Sequence, residues 1–148
     1  MNRRRTLLAI VAGGLVVGLT RGAQAAPRIE VYKSVTCGCC GDWIEHLRAS
    51  GFEVCAHDAA DPSEYRRRYG VPEAFASCHT ALVAGYAIEG HVPAREIRRL
   101  LAERPAAQGL AVPGMPAGSP GMEQGGRRDR YEVLLFQRDG RHATYARY

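Results

Sequence analysis

The alternation of hydrophobic and polar positions predicts a strand, a helix and a second strand over the first third of the chain after residue 28. Ile29, Val31 and the neighbouring Tyr32 predict a first strand that ends at Ser34, and residues 52–57 alternate apolar and polar side chains, as a strand with one buried face does. Between them, apolar residues recur at helical spacing. Asp42 and Glu45 have the spacing of a capping box and predict the helix start, and Gly51 predicts its end.

The middle of the chain predicts a helix, a hairpin and another helix. The helix at residues 61–69 begins with a capping aspartate and a proline. Residues 80–84 and 86–92 are two strand-like runs separated by one glycine, and Pro93 begins a helix that ends before Pro105. The order β-α-β-α-β-β-α contains a βαβ unit followed by a hairpin and a helix, which is the thioredoxin-like arrangement.

The C-terminal part of the chain predicts a long loop and a second hairpin. Residues 109–126 read GLAVPGMPAGSPGMEQGG, and their glycine and proline content predicts a Gly/Pro/Met-rich loop without regular structure. Residues 131–137 and 142–145 flank an Asp139-Gly140 turn, a pattern typical of a hairpin. We therefore predict an α/β protein with a thioredoxin-like core, this loop and a C-terminal hairpin.

The N-terminus has the pattern of an export signal. Residues 1–25 contain an arginine cluster, an apolar run at residues 7–19 and an Ala-Gln-Ala site at residues 23–25. The apolar run is too short to cross a bilayer. We interpret residues 1–25 as a cleaved signal peptide that delivers the protein to the periplasm, and Arg4-Arg5 resembles the twin-arginine export pattern.

Removal of the signal changes the charge balance. The formal charge of the whole chain is +5, but residues 1–25 hold four arginines and no acidic residue, so residues 26–148 carry about +1. Residues 26–148 are interpreted as one domain, whose small net charge offers no electrostatic basis for binding nucleic acid. We expect this domain to have no membrane span. The basic runs at residues 66–68 and 127–128 are expected on the solvated surface.

The most unusual stretch is VYKSVTCGCCGDW at residues 31–43, which holds three of the five cysteines. Cys37 and Cys40 have the C-x-x-C spacing of redox proteins, but Cys39 would offer competing disulfides and disturb a two-electron cycle. Closely packed thiolates suit soft metals, since sulfur bridges ions and Cu(I) accepts few ligands. Structural disulfides are the alternative. Cys55 is interpreted as an accessory thiol outside this cluster.

Further candidate ligands follow along the chain. Cys78-His79 lies at the start of the third strand, which neighbours the first strand in a thioredoxin-like sheet, so Cys78 is expected near the cysteine turn. His79 and His91 are either ligands or hydrogen-bonded structural residues. Met115 and Met122, each preceded by Pro-Gly, are either thioether ligands on a lid or flexible apolar packing.

Four segments of the chain resemble a CopG-like family of exported metal-binding proteins associated with copper resistance. They are VYKSVTCGCCGDWIEHL, GVPEAFASCHTALVAGYAIEGHVPAREIRRLL, GLAVPGMPAGSPGME and YEVLLF. The resemblance implies a thioredoxin-like fold that binds copper, as a multinuclear Cu(I) cluster, through Cys37, Cys39, Cys40 and Cys78. Cys55 lies outside the matching motifs.

These observations favour a periplasmic protein that sequesters Cu(I), or transfers it to and from other periplasmic copper-handling proteins, and so contributes to copper resistance. One alternative is a thiol-disulfide oxidoreductase that uses Cys37 and Cys40. The other is a structural zinc protein with Cys37, Cys40, Cys78 and His79 as ligands. No hydrolase or transferase motif is present.

Overall fold

The computed structural model describes residues 27–148, so the predicted signal peptide lies outside the described residues. Three helices and seven strands form the described part, with short 3₁₀ turns at Glu73–Phe75 and Gln124–Gly126. The elements in chain order are β1 (Ile29–Lys33), α1 (Gly38–Ala49), β2 (Val54–Asp58), α2 (Pro62–Arg68), β3 (His79–Val83), β4 (Tyr86–Glu89), α3 (Ala94–Glu103), β5 (Gly109–Ala111), β6 (Glu132–Phe136) and β7 (His142–Arg147).

All seven strands belong to one mixed sheet with the order β2-β1-β3-β4-β5-β6-β7. Strand β1 pairs in parallel with β2 and antiparallel with β3, and β3 pairs antiparallel with β4. Strand β4 pairs in parallel with β5, and β5, β6 and β7 continue antiparallel. The predicted order β-α-β-α-β-β-α and the C-terminal hairpin are both present.

The prediction that residues 109–126 lack regular structure is wrong at the start of this segment. Residues 109–111 form β5, a buried strand between β4 and β6 that joins the terminal hairpin to the rest of the sheet. A side chain at position 109 would meet the Ala87 carbonyl, and glycine permits this close approach. Three residues are too few to show a period of two, and this strand exists because both of its edges find partners.

Helix α1 begins five residues earlier than the capping pattern predicts, since that pattern places the N-cap at Asp42. Cys37 is the N-cap and Gly38 the first helical residue, so Asp42 lies inside the helix. The position of the helix start is set by the apolar face of the helix, which already includes Cys40. Cys40, Trp43 and other residues at helical spacing are buried against the sheet. Two of the three neighbouring cysteines therefore belong to the first turn of a helix.

The main core lies between the sheet and helices α1 and α3. Ile29 and Val31 of β1 face this side, and the indole of Trp43 donates a hydrogen bond of 2.9 Å to the Val92 carbonyl. Glu30 and Tyr32 point to the opposite side, where the Tyr32 ring stacks on Tyr65 of α2. Among residues 27–148, no helix has the length and apolar character needed to span a bilayer.

Candidate metal centre

Three cysteines meet where β1 ends and α1 begins. Cys37 and Cys40 form a disulfide, and the Cys39 sulfur lies 3.6 Å from the Cys37 sulfur. Cys40 is fully buried against the core, whereas Cys37 and Cys39 are partly exposed. The free amides of the first helical turn point toward this end of α1, and their partial positive charge favours thiolates.

Strand β3 brings a fourth cysteine to this turn. Since β3 runs antiparallel to β1, residue 78 at the start of β3 lies beside the end of β1. The Cys78 sulfur is 3.5 Å from the Cys40 sulfur, and all four cysteine sulfurs lie within 4.8 Å of one another. Cys55 does not belong to this group.

Two buried histidines complete the surroundings of Cys78. Its sulfur lies 3.2 Å from Nδ1 of His79 and 3.1 Å from Nε2 of His91. Nδ1 of His91 donates to the Pro120 carbonyl at 2.7 Å, and because a carbonyl only accepts, Nε2 presents its lone pair toward Cys78. Nε2 of His79 is buried and has no hydrogen-bond partner among the described residues. Cys78, His79 and His91 thus form a second set of mutually close donor atoms.

The protonation states of these groups suit binding of a soft cation. Burial, with a smaller contribution from His91, lowers the pKa of His79 to about 3, and burial also lowers the pKa of His91. Both imidazoles are therefore neutral at pH 7 and able to ligate a metal. Burial and the neighbouring Cys39 raise the pKa of Cys78 to about 12, so a metal binding there would displace a proton from this thiol.

The Pro-Gly-Met segments differ in their position relative to this centre. Gly121 has φ +84°, and a Cβ atom there would lie 2.7 Å from the backbone nitrogen of Trp43 and 2.8 Å from the carbonyl oxygen of Cys39. The loop therefore packs directly on the first turn of α1, with the partly buried Met122 next in the chain. Met115 is 52% exposed. The two methionines thus occupy different environments.

A buried ion pair fixes the residue that precedes Cys78. Nε of Arg66 donates to Glu89 Oε1 at 2.9 Å, and Nη2 of Arg66 donates to the Ser77 carbonyl at 2.7 Å. Glu89 accepts from the Ser77 amide at 2.8 Å through Oε1 and from the Thr80 hydroxyl at 2.6 Å through Oε2. Burial raises the pKa of Glu89 despite these donors.

This ion pair corrects the expectation for residues 66–68. Arg66 is only 8% exposed, because α2 packs its inner face on the sheet beside Glu89. A run of three arginines has no feature that distinguishes a buried member. The sequence signal that could have indicated a buried arginine is the acidic residue at position 89, because a carboxylate in the apolar strand β4 needs a cationic or hydrogen-bonding partner.

The fold and this site define an α/β protein with a cysteine cluster able to hold metal. The sequence-family profile described as "Protein of unknown function, DUF411" matches residues 75–122. A solved structure described as "Copper resistance protein copG- Form 2" is 49% identical and has a TM-score of 0.79, covering 83% of this chain and 98% of that chain. The structure described as "Form 1" is 50% identical with a TM-score of 0.77, covering 82% and 96%.

The chain therefore belongs to the family of the copper resistance protein CopG, as its motifs predict. No curated protein matches the sequence significantly.

Proposed function

We propose that this protein binds Cu(I) through the thiolates of Cys37, Cys39, Cys40 and Cys78 and so contributes to copper resistance by sequestering or transferring the ion. The observation that carries this proposal is the approach of four cysteine sulfurs to within 4.8 Å of one another. Such a set of soft donors favours Cu(I) and permits bridging sulfurs, so that more than one ion is held. His79 and His91 are further nitrogen ligands at the Cys78 side of the cluster.

Copper binding through all four sulfurs requires the reduced protein. In the structure, Cys37 and Cys40 share a disulfide, and two electrons and two protons from an external dithiol convert it to two thiols. The four thiols then lose their protons as Cu(I) binds. Other copper-handling proteins of the same compartment are the proposed donors and acceptors of the ion.

We infer that the fold is thioredoxin-like. The sheet order β2-β1-β3-β4, with β1 and β2 parallel and β3 antiparallel to both neighbours, supports this inference. So does the position of the cysteines between β1 and α1. The element between α2 and β3 is a short 3₁₀ turn at Glu73–Phe75.

Export to the periplasm is part of the proposal and rests on the sequence of residues 1–25. Cleavage after Ala25 would leave a mature chain that begins at Ala26. N-terminal sequencing of the protein from a periplasmic extract is expected to find this residue first. A soluble cytoplasmic protein that retains Met1 would contradict the proposed compartment.

The function is tested by measuring copper per chain. The reduced mature protein is loaded with Cu(I) under anaerobic conditions, desalted and analysed for metal and protein. We expect more than one copper ion per chain, and a folded circular-dichroism spectrum before copper is added. One zinc ion per chain, with unfolding on chelation, would instead support a structural zinc site.

A thiol-disulfide oxidoreductase is the second candidate, and the Cys37–Cys40 disulfide favours it. The Cys78 sulfur lies 3.5 Å from Cys40, close enough to exchange disulfides once its thiol is deprotonated. Multiple turnovers of a model disulfide with a dithiol reductant, abolished by Cys37→Ser, would support this activity. Stoichiometric reaction without turnover would leave copper binding as the function.

The methionines of the loop test whether thioethers join the copper site. Replacing Met115 and Met122 with leucine keeps the apolar volume and removes both sulfurs. We expect weaker Cu(I) binding in competition with a Cu(I) chelator and a nearly unchanged melting temperature. The single variants assign the effect, and Met122→Leu is expected to carry it because its neighbour Gly121 packs on the cysteine helix. Unchanged affinity would assign both residues to packing.

A further inference from the structure

The edge strand β2 and its neighbour β1 carry another group of metal-ligating side chains. Glu30 of β1 is paired in register with Cys55 of β2, and His57 lies two residues further along the same face of β2. One donor atom from each side chain lies within 4.8 Å of the other two, and Glu30 Oε2 is 2.6 Å from His57 Nε2. A sulfur, a nitrogen and an oxygen thus converge on one point.

This group is separate from the four-cysteine cluster. Ile29 and Val31 of β1 face the core beneath α1, whose first turn holds the cysteines. Glu30 points to the opposite face of the sheet because successive strand residues alternate. The two groups therefore lie on opposite sides of the sheet, and neither shares a ligand with the other.

The surroundings orient these three side chains while leaving them accessible. The His57 ring stacks on Tyr32 with a centroid distance of 5.0 Å, and its side chain is 42% exposed. Arg28 contacts Glu30 Oε1 at 2.7 Å, which leaves Oε2 facing His57. A metal that binds here displaces the proton of the Cys55 thiol, and the thiolate and Glu30 then supply two negative charges to the cation, against the one positive charge of Arg28.

We propose that Glu30, Cys55 and His57 form a second metal site, for a divalent cation of intermediate softness such as Zn²⁺. Zinc accepts thiolate, imidazole and carboxylate ligands together, whereas Cu(I) has little preference for the carboxylate. Zn–ligand distances of about 2.0–2.3 Å at tetrahedral angles separate donor atoms by about 3.3–3.6 Å. The contact between Glu30 and His57 therefore has to open by less than about 1 Å, and water occupies the fourth position.

A variant with a single free thiol tests the site directly. In Cys39→Ser/Cys78→Ser with the Cys37–Cys40 disulfide kept intact, Cys55 is the only thiol of the five cysteines. Cobalt(II) added to this folded variant is expected to give a thiolate-to-cobalt charge-transfer band at one ion per chain, which Zn²⁺ then displaces. Adding Cys55→Ser is expected to abolish the band.

Two further variants distinguish the proposed site from chance thiol binding. His57→Gln is expected to weaken Zn²⁺ binding by at least about tenfold, since loss of a ligand costs no less than loss of an outer-shell partner. His142→Gln, a control at an exposed histidine of β7, is expected to leave binding unchanged. Absence of the cobalt band, or equal effects of His57→Gln and His142→Gln, would overturn the proposal.

The wild-type chain gives an independent measurement if the single-thiol variant does not fold. Under non-reducing conditions, Cys55→Ser is expected to lower Zn²⁺ by one ion per chain. After reduction, the same variant is expected to take up as much Cu(I) as the wild type. Unchanged zinc overturns the second site alone, whereas failure of the wild type to bind Cu(I) overturns only the function proposed above.

Discussion

Cys78→Ser is expected to remove more than one copper ion per chain, whereas Cys55→Ser leaves copper uptake unchanged. The Cys78 sulfur lies 3.5 Å from the Cys40 sulfur and within 3.2 Å of a nitrogen from each of two histidines. A thiolate in this position bridges ions, so its loss leaves more than one ion with too few ligands. Copper per chain after anaerobic Cu(I) loading and desalting measures the effect.

The comparison with Cys55→Ser controls for a general effect of losing a thiol. Both residues are partly buried free cysteines, but only Cys78 belongs to the four-sulfur group. Copper loss in Cys55→Ser together with full loading in Cys78→Ser would show that the metal lies elsewhere on the sheet. Full loading in both variants, with disulfide turnover lost in Cys37→Ser, would replace the copper proposal with the oxidoreductase.

The sequence was most informative where several local signals agreed. Alternation in β1, the strong helix stop at Gly51 and the Asp139-Gly140 turn each use a local backbone preference, and the corresponding elements are present. The proximity of Cys78 to the cysteine turn was predicted from the order of the elements, which places the third strand beside the first. Antiparallel pairing of β1 and β3 brings the end of one strand beside the start of the other.

Features that depend on tertiary packing were not predictable in the same way. Strand β5 is recognisable only from its partners, since Gly109–Ala111 has no periodic pattern of its own. The contact of Gly121 with the first turn of α1 depends on how the loop folds back, and the sequence indicates only that a glycine is present. The disulfide between Cys37 and Cys40 was one of several pairings that the spacing allowed.

The donors around Cys55 were visible in part. In the sequence, Glu53, Cys55 and His57 alternate with the apolar residues of the second predicted strand, which places all three side chains on one face of that strand. The structure instead supplies Glu30, from the paired strand β1, as the carboxylate near His57. A carboxylate across a parallel ladder depends on strand register, which a single strand pattern does not determine.

Glu89→Gln is expected to lower the free energy of unfolding by about 3 kcal/mol, because it leaves the buried charge of Arg66 with a weaker partner. The side chain of Glu89 is fully buried, and the remaining carboxylate near Arg66 is Glu73 at 3.3 Å on the exposed side. For a domain of this size such a loss lowers the melting temperature by about 10 °C. Thermal unfolding of the metal-free reduced protein measures it, and Glu96→Gln serves as a control at another buried carboxylate.

The same substitution is also expected to weaken Cu(I) binding, since Glu89 and Arg66 hold the amide and carbonyl of Ser77, directly before Cys78. Glu89 is thus a positioning residue for the Cys78 sulfur. The double variant Arg66→Met/Glu89→Leu separates the two effects, because replacing a buried ion pair by apolar side chains recovers stability without restoring the Ser77 hydrogen bonds. We expect its melting temperature to recover toward the wild type while Cu(I) affinity, measured by chelator competition, stays reduced. If affinity recovers together with stability, the ion pair supports the fold alone and does not position Cys78.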